Sequence, residues 1–454
     1  MKTTSDLTYF FALVTIGILF QLVISCSTSK TSKVVPPNVI VIMADDLGYE
    51  TIAANGGISY QTPQLDKMAS EGVRFEQCYA QPLCTPSRIQ IMTGIYNVRN
   101  YVEFGLLDTS QTTFAHLYQE AGYATCIVGK WQLGKDPKSP NRAGFDEYCL
   151  WQVSQGARYD NGNDTRFSAP ELEINGDIRT YGRTEYGPDI VSDYGLEFIE
   201  RAVEKEKPFL LYYPMILTHC PFSPTPDSEE WLTDSTTIEA YKGNAKYFGD
   251  MMSYTDKIVG KINQHLEDLG VADNTLVLFV GDNGTDKPVV SEMQNRTVAG
   301  AKNTTTDAGT HVPLIVKWPA QIISKQRSKD LIDLTDVLPT ICEASNIEVP
   351  THLQIDGVSF LAQLKGEQGN PRDWVYSWYS RSGKTEKAQV FARDQRYKLY
   401  STGAFYDVIN DYDEERPIAL LDLDEDIKKK HHMLQKVIEN YAAQRYNKLP
   451  HISN

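Results

Sequence analysis

The chain reads as an α/β fold: a large, mostly parallel central sheet flanked by helices, with a smaller C-terminal antiparallel sheet plus one helix. Three observations predict it. Asn38 to Met43 (NVIVIM) is a continuous apolar run rich in β-branched residues, as a strand buried on both faces requires. Strand-like runs then alternate with helical stretches through Val280, the pattern of a largely parallel sheet. From about Pro371 short strand-like pieces joined by turns replace that alternation. At 454 residues the chain exceeds one small core, and its 41% hydrophobic and 23% charged content is that of an ordinary globular protein.

The N-terminus stands apart. Lys2 precedes an apolar run from Tyr9 to Ile24, interrupted by Thr15, Gly17 and Gln21 and closing on Val23-Ile24-Ser25-Cys26. The run is short for a membrane span and suits a secretory leader. Its ending resembles a bacterial lipobox, which makes residues 1–25 a lipoprotein signal peptide and Cys26 the lipidated first residue of the mature protein. Residues 26–37 then form a flexible tether of small polar residues stiffened by Pro36 and Pro37. The expected location is exported and lipid-anchored to a bacterial membrane, in the periplasm or at the cell surface. Residues 38–370 are expected to form the main α/β domain and residues 371–454 a C-terminal α+β subdomain.

Further along, Thr62-Pro63 opens a helix that runs to Glu71. In Leu83 to Gly94 (LCTPSRIQIMTG), Thr85 suits a cap, Pro86 the first helical position and Gly94 the stop, so Cys84 belongs at a helix N-terminus. Backbone N–H groups and the helix dipole favour negative charge there, and Arg88, one turn inside, offers a fork suited to an oxoanion. Thr112 to Ala121 reads as a helix, and Ala124 to Val128 as a strand ending in Gly129-Lys130-Trp131-Gln132. A helix over Asp189 to Val203 precedes a strand, Phe209 to Tyr213, that leads to Thr218-His219-Cys220-Pro221. A long helical stretch, roughly Ile238 to Leu269, precedes the strand Thr275 to Val280 and its ending Gly281-Asp282-Asn283-Gly284. The C-terminal strands are expected at Trp374 to Tyr379, Gln389 to Ala392, Tyr397 to Ser401 and Phe405 to Val408, before a helix over Ile427 to Arg445. Ligands of such sheets sit beyond the carboxyl ends of the strands, where each polar cluster falls.

A formal charge of −15 excludes general nucleic-acid or anionic-membrane binding and requires any anion site to be a local basic pocket. Seven cysteines without a C-x-x-C pair give neither a dense disulfide framework nor an assignable bridge. Asp45, Asp46, Asp282 and Asn283 supply oxygen ligands from two strand ends, a set that suits a hard divalent cation, Ca²⁺ more than Zn²⁺. Lys130, His219 and Lys302 lie in loops where they can converge with Arg88 on an anionic group, and His219 can assist a leaving oxygen.

The ordered set DD, CTPSR, GKW, THCP, DNG and Lys302 resembles the type I sulfatases of the alkaline-phosphatase superfamily. The similarity runs from about Asn38 to Pro319 and ends in DAGTHVPLIVKWP; GFDEY at Gly144 to Tyr148 and ARDQRYKLY at Ala392 to Tyr400 are further landmarks. The resemblance implies that a formylglycine-generating maturation enzyme oxidises Cys84 to formylglycine, whose hydrated diol attacks sulfur, releases the alcohol and then expels sulfate. It implies one Ca²⁺ bound by Asp45, Asp46, Asp282, Asn283 and the modified Cys84. Arg88 and Lys130 would hold the nucleophile, Lys302 and His219 the sulfate, with His219 assisting departure of the alcohol. Two positions depart from the family's pattern. Gln132 stands where a His usually follows G-K-W, and it can hydrogen-bond the diol without accepting its proton; His311, where many relatives carry Arg, is a candidate substitute. Asn283 stands where some relatives have another oxygen ligand.

The activity expected is hydrolysis of sulfate esters, with a sulfated carbohydrate as substrate. The carbohydrate expectation rests on the exported location and on an aromatic and cationic middle section. Trp151, Arg158, Tyr159, Arg166, Arg179, Arg183 and Tyr186, with Trp378 and Arg381 from the C-terminal part, are candidate sugar contacts beside Gln132 and His311. Two alternatives stay open: a phosphonate or phosphate ester hydrolase of the same superfamily, and a lipoprotein that binds sulfated glycans without turning them over. Gln132 motivates the second, and retention of the remaining site residues opposes it.

Overall fold

The computed structural model describes residues 35–154, 164–233, 242–422 and 424–445, and Cys26, Arg158 and Tyr159 lie outside them. Its first strand, β1 (Asn38–Ala44), is buried along its whole length. Val39, Val41 and Met43 enter one apolar core while Ile40, Ile42 and Ala44 enter another, because successive side chains leave opposite faces of a strand. A strand apolar on both faces belongs at the centre of a sheet. β1 lies there.

The sheet is completed by β2 (Val73–Tyr79), β3 (Ala124–Lys130), β4 (Glu147–Trp151), β5 (Glu171–Ile174), β6 (Asp177–Thr180), β7 (Phe209–Pro214) and β8 (Thr275–Gly281). After a separate hairpin of β9 (Val290–Met293) and β10 (Arg296–Ala299) come β11 (His311–Lys317) and β12 (Gln326–Asp333). The strand order across the ten-stranded sheet is β12-β2-β11-β8-β1-β7-β3-β4-β5-β6. Neighbours from β8 through β4 are parallel, as are β2 and β12, while β11, β5 and β6 pair antiparallel. The α/β class read from the sequence is therefore the observed one.

Helices cover both faces. α1 (Pro63–Glu71), α4 (Gly187–Glu204) and α5 (Phe248–Asp268) pack on the face with Ile40 and Ile42. On the opposite face α2 (Cys84–Thr93), α3 (Phe114–Glu120) and α6 (Val337–Ala344) pack with Val39 and Val41. That second core continues into an antiparallel sheet of β13 (Val375–Tyr379), β14 (Gln389–Arg393), β15 (Tyr397–Tyr400) and β16 (Phe405–Asp407), and into α7 (Glu425–Ala442), whose Leu434 and Val437 are buried. From Pro37 onward the chain is a single compact unit.

Several strands escape a reading by hydrophobic pattern. β2 (VRFEQCY) and β12 (QRSKDLID) carry charged residues, and β6 is exposed at every position. β12 and β6 are the two edges of the large sheet, where charge blocks unwanted pairing. α5 begins at Phe248 and not near Ile238, since Asn244 caps a short 3₁₀ turn, Ala245–Tyr247, ahead of it; residues 234–241 lie outside the described part. No described helix is long and apolar enough to cross a membrane.

The parallel register aligns the ends that carry function. Ala44 pairs with Gly281, so Asp45 and Asp282 emerge side by side, and β7 and β3 bring the His219 loop and Lys130 to the same end. Gly129, just before Lys130, has φ +109°, and a Cβ there would meet the Pro214 carbonyl oxygen at 2.0 Å. Gly129→Ala is therefore expected to lower stability by about 2 kcal/mol or more, read as a fall in melting temperature.

Candidate active site

Cys84 opens α2 itself. Its N-cap is Leu83, with extended backbone and no side-chain cap. Thr85 does not cap the helix; its hydroxyl accepts the Gly105 N–H at 3.2 Å, so the helix begins two residues before the expected Pro86 start. Gly94 ends it as expected, at φ +68° with its N–H on the Gln90 carbonyl. Every residue of α2 is buried, and the Cys84 thiol sits at 1% exposure with Sγ 3.6 Å from Gln132 Oε1.

Around this thiol the strand ends place charges of both signs. Lys130 Nζ lies 2.7 Å from Asp45 Oδ2, and Lys302 Nζ lies 2.5 Å from Asp46 Oδ2. The Asp46 N–H donates to Asp282 Oδ1 at 2.9 Å, and Asn283 Nδ2 donates to Asp46 Oδ1 at 2.9 Å. Asp45, Cys84 and Asp282 bring ligand atoms within 4.8 Å of one another, as do Asp45, Asp46 and His219. His219 Nε2 is 3.7 Å from Asp46 Oδ2.

Electrostatics follow from this burial. Burial, with Asp45 and Asp46 adjacent, pushes the Asp282 carboxyl well above its usual range. Burial opposes the Lys130 ammonium, yet Asp45, Cys84 and Asp282 still raise its pKa. Burial also raises the Cys84 thiol, so its place at a helix N-terminus beside Lys130 does not make it a reactive thiolate. The His219 imidazole is held well below its ordinary value by burial and by the Lys302, Lys130 and Arg166 charges.

The residues fit a hard cation. Asp45 Oδ1 and Asn283 Oδ1 are buried oxygens with no hydrogen-bond partner, beside the carboxylates of Asp46 and Asp282. An all-oxygen set with two unclaimed atoms is what a divalent ion of the Ca²⁺ or Mg²⁺ type takes.

Arg88 does not present its fork to a ligand: both terminal nitrogens hold backbone carbonyls, of Trp131 at 2.5 Å and of Lys130, and so fix the Gly-Lys-Trp turn. His311 is stacked on Tyr49 at 4.2 Å and on Tyr79 at 5.0 Å, with Nε2 2.9 Å from the Glu76 carbonyl oxygen and Nδ1 3.3 Å from Asp307. Neither Cys84 nor Gln132 is among those partners. Trp378 is buried beneath the Arg445 guanidinium at 4.3 Å, and Tyr186 packs among Phe167, Trp231 and Tyr254. Trp151 is buried under Arg166, whereas Arg179 and Arg183 are exposed.

Side chains alternate along β13, so its Tyr379, next to Trp378, is the one that reaches the site. Tyr379 clusters with Leu83, Cys84 and Phe104, and the Arg381 guanidinium lies 4.8 Å over the Phe104 ring. The period-2 pattern of VYSWY carried that information once one face was known to meet the core.

A sulfatase family model matches residues 37–347, more than half of the chain. The chain belongs to the sulfatase family. A second model, N-sulphoglucosamine sulphohydrolase, C-terminal, matches residues 301–450 of this sulfatase. It is 31% identical to the N-acetylgalactosamine-6-sulfatase of Mus musculus over 73% of this chain and 67% of that protein. With arylsulfatase G of Rattus norvegicus the identity is 29% over 85% of this chain and 80% of the relative. The fold of BT4656, solved in complex with its substrate D-glucosamine-2-N,6-O-disulfate, superposes with TM-score 0.71 at 21% identity, covering 90% of this chain and 98% of that one. The sulfatase is accordingly a sulfuric ester hydrolase, and the family implies both formylglycine and a metal ion.

Repulsion among the three carboxylates makes a prediction about stability. Without divalent cations Asp282→Asn should melt at or above the wild-type temperature, because it removes one buried like charge. Added cation should stabilise the wild type by about 2.7 kcal/mol at about 100 times its Kd and the variant far less, as read by thermal denaturation.

Proposed function

We propose that this sulfatase hydrolyses a sulfate ester of a sulfated saccharide, using a formylglycine made from Cys84 and one Ca²⁺ held by Asp45, Asp46, Asp282, Asn283 and the modified residue. The observation that carries the reading is a buried, unactivated Cys84 within 4.8 Å of two metal-competent carboxylates. A thiol so placed is of little use as a thiol; oxidised to the hydrated aldehyde, it supplies an oxygen nucleophile. A bound cation supplies positive charge that favours the ionised nucleophile and offsets the charge of the sulfate.

The chain's own residues do the positioning. Arg88 fixes the carbonyls of the turn that carries Lys130, and Lys130 is aimed by Asp45 at the nucleophile's position. Lys302 and His219 converge on Asp46 Oδ2 from different loops and so bracket the place where sulfate oxygens dock. Lys302 is poised to neutralise them, and His219 Nε2 to meet the departing oxygen. Gln132 can hold a hydroxyl of the nucleophile but cannot take its proton.

Support for a saccharide comes from the relatives, one an N-acetylgalactosamine-6-sulfatase and another solved with a disulfated glucosamine. Phe104, Tyr379 and Arg381 form a rim where an apolar sugar face and an acidic substituent find partners. The partners proposed are the sulfated saccharide, a formylglycine-generating enzyme and, through Cys26, a bacterial membrane. Lys2, the apolar run and the lipobox-like ending support export and anchoring.

Cys84→Ala is expected to reduce sulfate release to background while melting temperature and cation binding stay close to wild type. Turnover by that variant contradicts the mechanism. Gln132→His should speed steady-state turnover relative to the first-turnover burst if release of sulfate from the nucleophile limits the rate, as read by stopped-flow product formation. Cys26→Ala should move the full-length protein from the membrane to the soluble fraction of cells that express it.

A further inference from the structure

Arg166 reads from the sequence as a sugar contact, yet it is one of the largest fully buried side chains of the protein, at 2% exposure. Three features hold it. Its Nε lies 2.9 Å from each Asp164 carboxylate oxygen and its Nη2 2.7 Å from Oδ2; its guanidinium lies 4.4 Å from the Trp151 ring centroid; and its Nη1 donates to the Cys220 carbonyl at 2.5 Å. Trp151 is fixed in turn by Nε1 on the Thr165 hydroxyl at 3.2 Å. The same Nη1 lies 2.6 Å from His219 Nδ1.

The direction of that last hydrogen bond is decided by chemistry. A guanidinium has donors and no acceptor and stays protonated, so the ring nitrogen against it must offer a lone pair. Nδ1 is then the bare nitrogen and the ring hydrogen sits on Nε2, the atom that faces Asp46. Nδ1 also lies 2.5 Å from the Cys220 carbonyl oxygen, a contact that would suit the opposite tautomer. That carbonyl has a second lone pair, so the Arg166 donation does not by itself exclude the tautomer; the guanidinium nitrogen 2.6 Å from Nδ1 does, since two donors would then face each other with no acceptor between them.

We infer that Arg166 is a positioning residue that fixes the His219 imidazole in its Nε2–H form, so that His219 meets the departing oxygen as a preset hydrogen-bond donor. The inference rests on the assignment of His219 to the departing oxygen made above. It assigns a tautomer and an orientation and includes no proton transfer. The Nε2–H bond stabilises negative charge that builds on the leaving oxygen as the S–O bond breaks, and a neutral imidazole suffices for that.

The test uses the mature enzyme and a series of aryl sulfates graded from 4-nitrophenyl to 4-methoxyphenyl, reading the slope of log kcat against leaving-group pKa. A donor to the leaving oxygen flattens this slope, whereas a residue needed only for folding or binding scales the whole series together. Arg166→Met alone leaves the partly buried Asp164 carboxylate without its cation, so D164N/R166M is the main variant and its melting curve is recorded. Arg166→Lys, which keeps the charge and drops the fork, is the second variant.

The expected result is that H219A and D164N/R166M steepen the slope alike. The poorest leaving group should lose roughly 100-fold and the best less than about 3-fold. R166K should be intermediate, and the triple variant no worse than H219A. A steeper slope for H219A with an unchanged slope for both Arg166 variants overturns the positioning role and leaves the role of His219 standing. An unchanged slope for H219A overturns the donor role of His219, and this proposal with it.

Discussion

Three buried carboxylates, Asp45, Asp46 and Asp282, meet two ammonium groups, the buried Lys130 and the partly buried Lys302, and the arrangement of the site depends on their mutual neutralisation. None of the acids is stable there as a lone charge, since burial penalises each and the others repel it. The sheet solves this by register. β1 and β8 run in parallel and end together, β3 delivers Lys130 two strands away, and the segment after β10 returns with Lys302. A register slip of one residue would turn Asp45 or Asp282 to the other face and break the balance. The two oxygens left without partners, on Asp45 and Asn283, are the remainder of that balance and mark where a cation fits.

Lys302 owes its position to the small C-terminal sheet. Tyr379 of β13 hydrogen-bonds Asn303, Gln389 of β14 and Tyr400 of β15 hold the Thr305 hydroxyl, and Lys398 of β15 donates to the Thr305 carbonyl. Arg393 then pairs with Asp307, the first residue beyond that loop. Lys398 is pushed down to about 8 by burial, with Glu414 opposing the shift, as expected of an ammonium among the Phe391 and Tyr400 rings. The second sheet therefore forms part of the site's mechanics: it anchors the segment that carries Lys302 and supplies the Tyr379 wall beside Cys84.

The central strands, the acidic pairs at their ends and the buried Cys84 helix were legible because each follows a local rule: an apolar run, a turn composition, a Gly stop. Antiparallel β11 and the charged strands β2, β6 and β12 were not, since edge position and strand direction are properties of the whole sheet. The same limit applies to the candidate side chains. Asp45, Asp46, Asp282, Asn283, Lys130, His219 and Lys302 sit at strand ends or in loops that the fold must bring together. Trp151, Arg166, Tyr186 and Trp378 read equally as sugar contacts, and tertiary packing closes them off, whereas His311 keeps an edge on a cavity that Tyr49, Arg296 and Arg393 also line. Arg166 is the instructive case: its residue type announced a ligand, and its ligand is another side chain, His219.

The central claim is that Cys84 serves as formylglycine and not as a thiol. Mass spectrometry of the peptide that contains Cys84, from protein made with and without a formylglycine-generating enzyme, tests it most directly when turnover is measured on the same samples. The account predicts conversion of the thiol to the aldehyde only in the first sample, with sulfate release in proportion to the converted fraction. Sulfate release from protein whose Cys84 remains an unmodified thiol would contradict it.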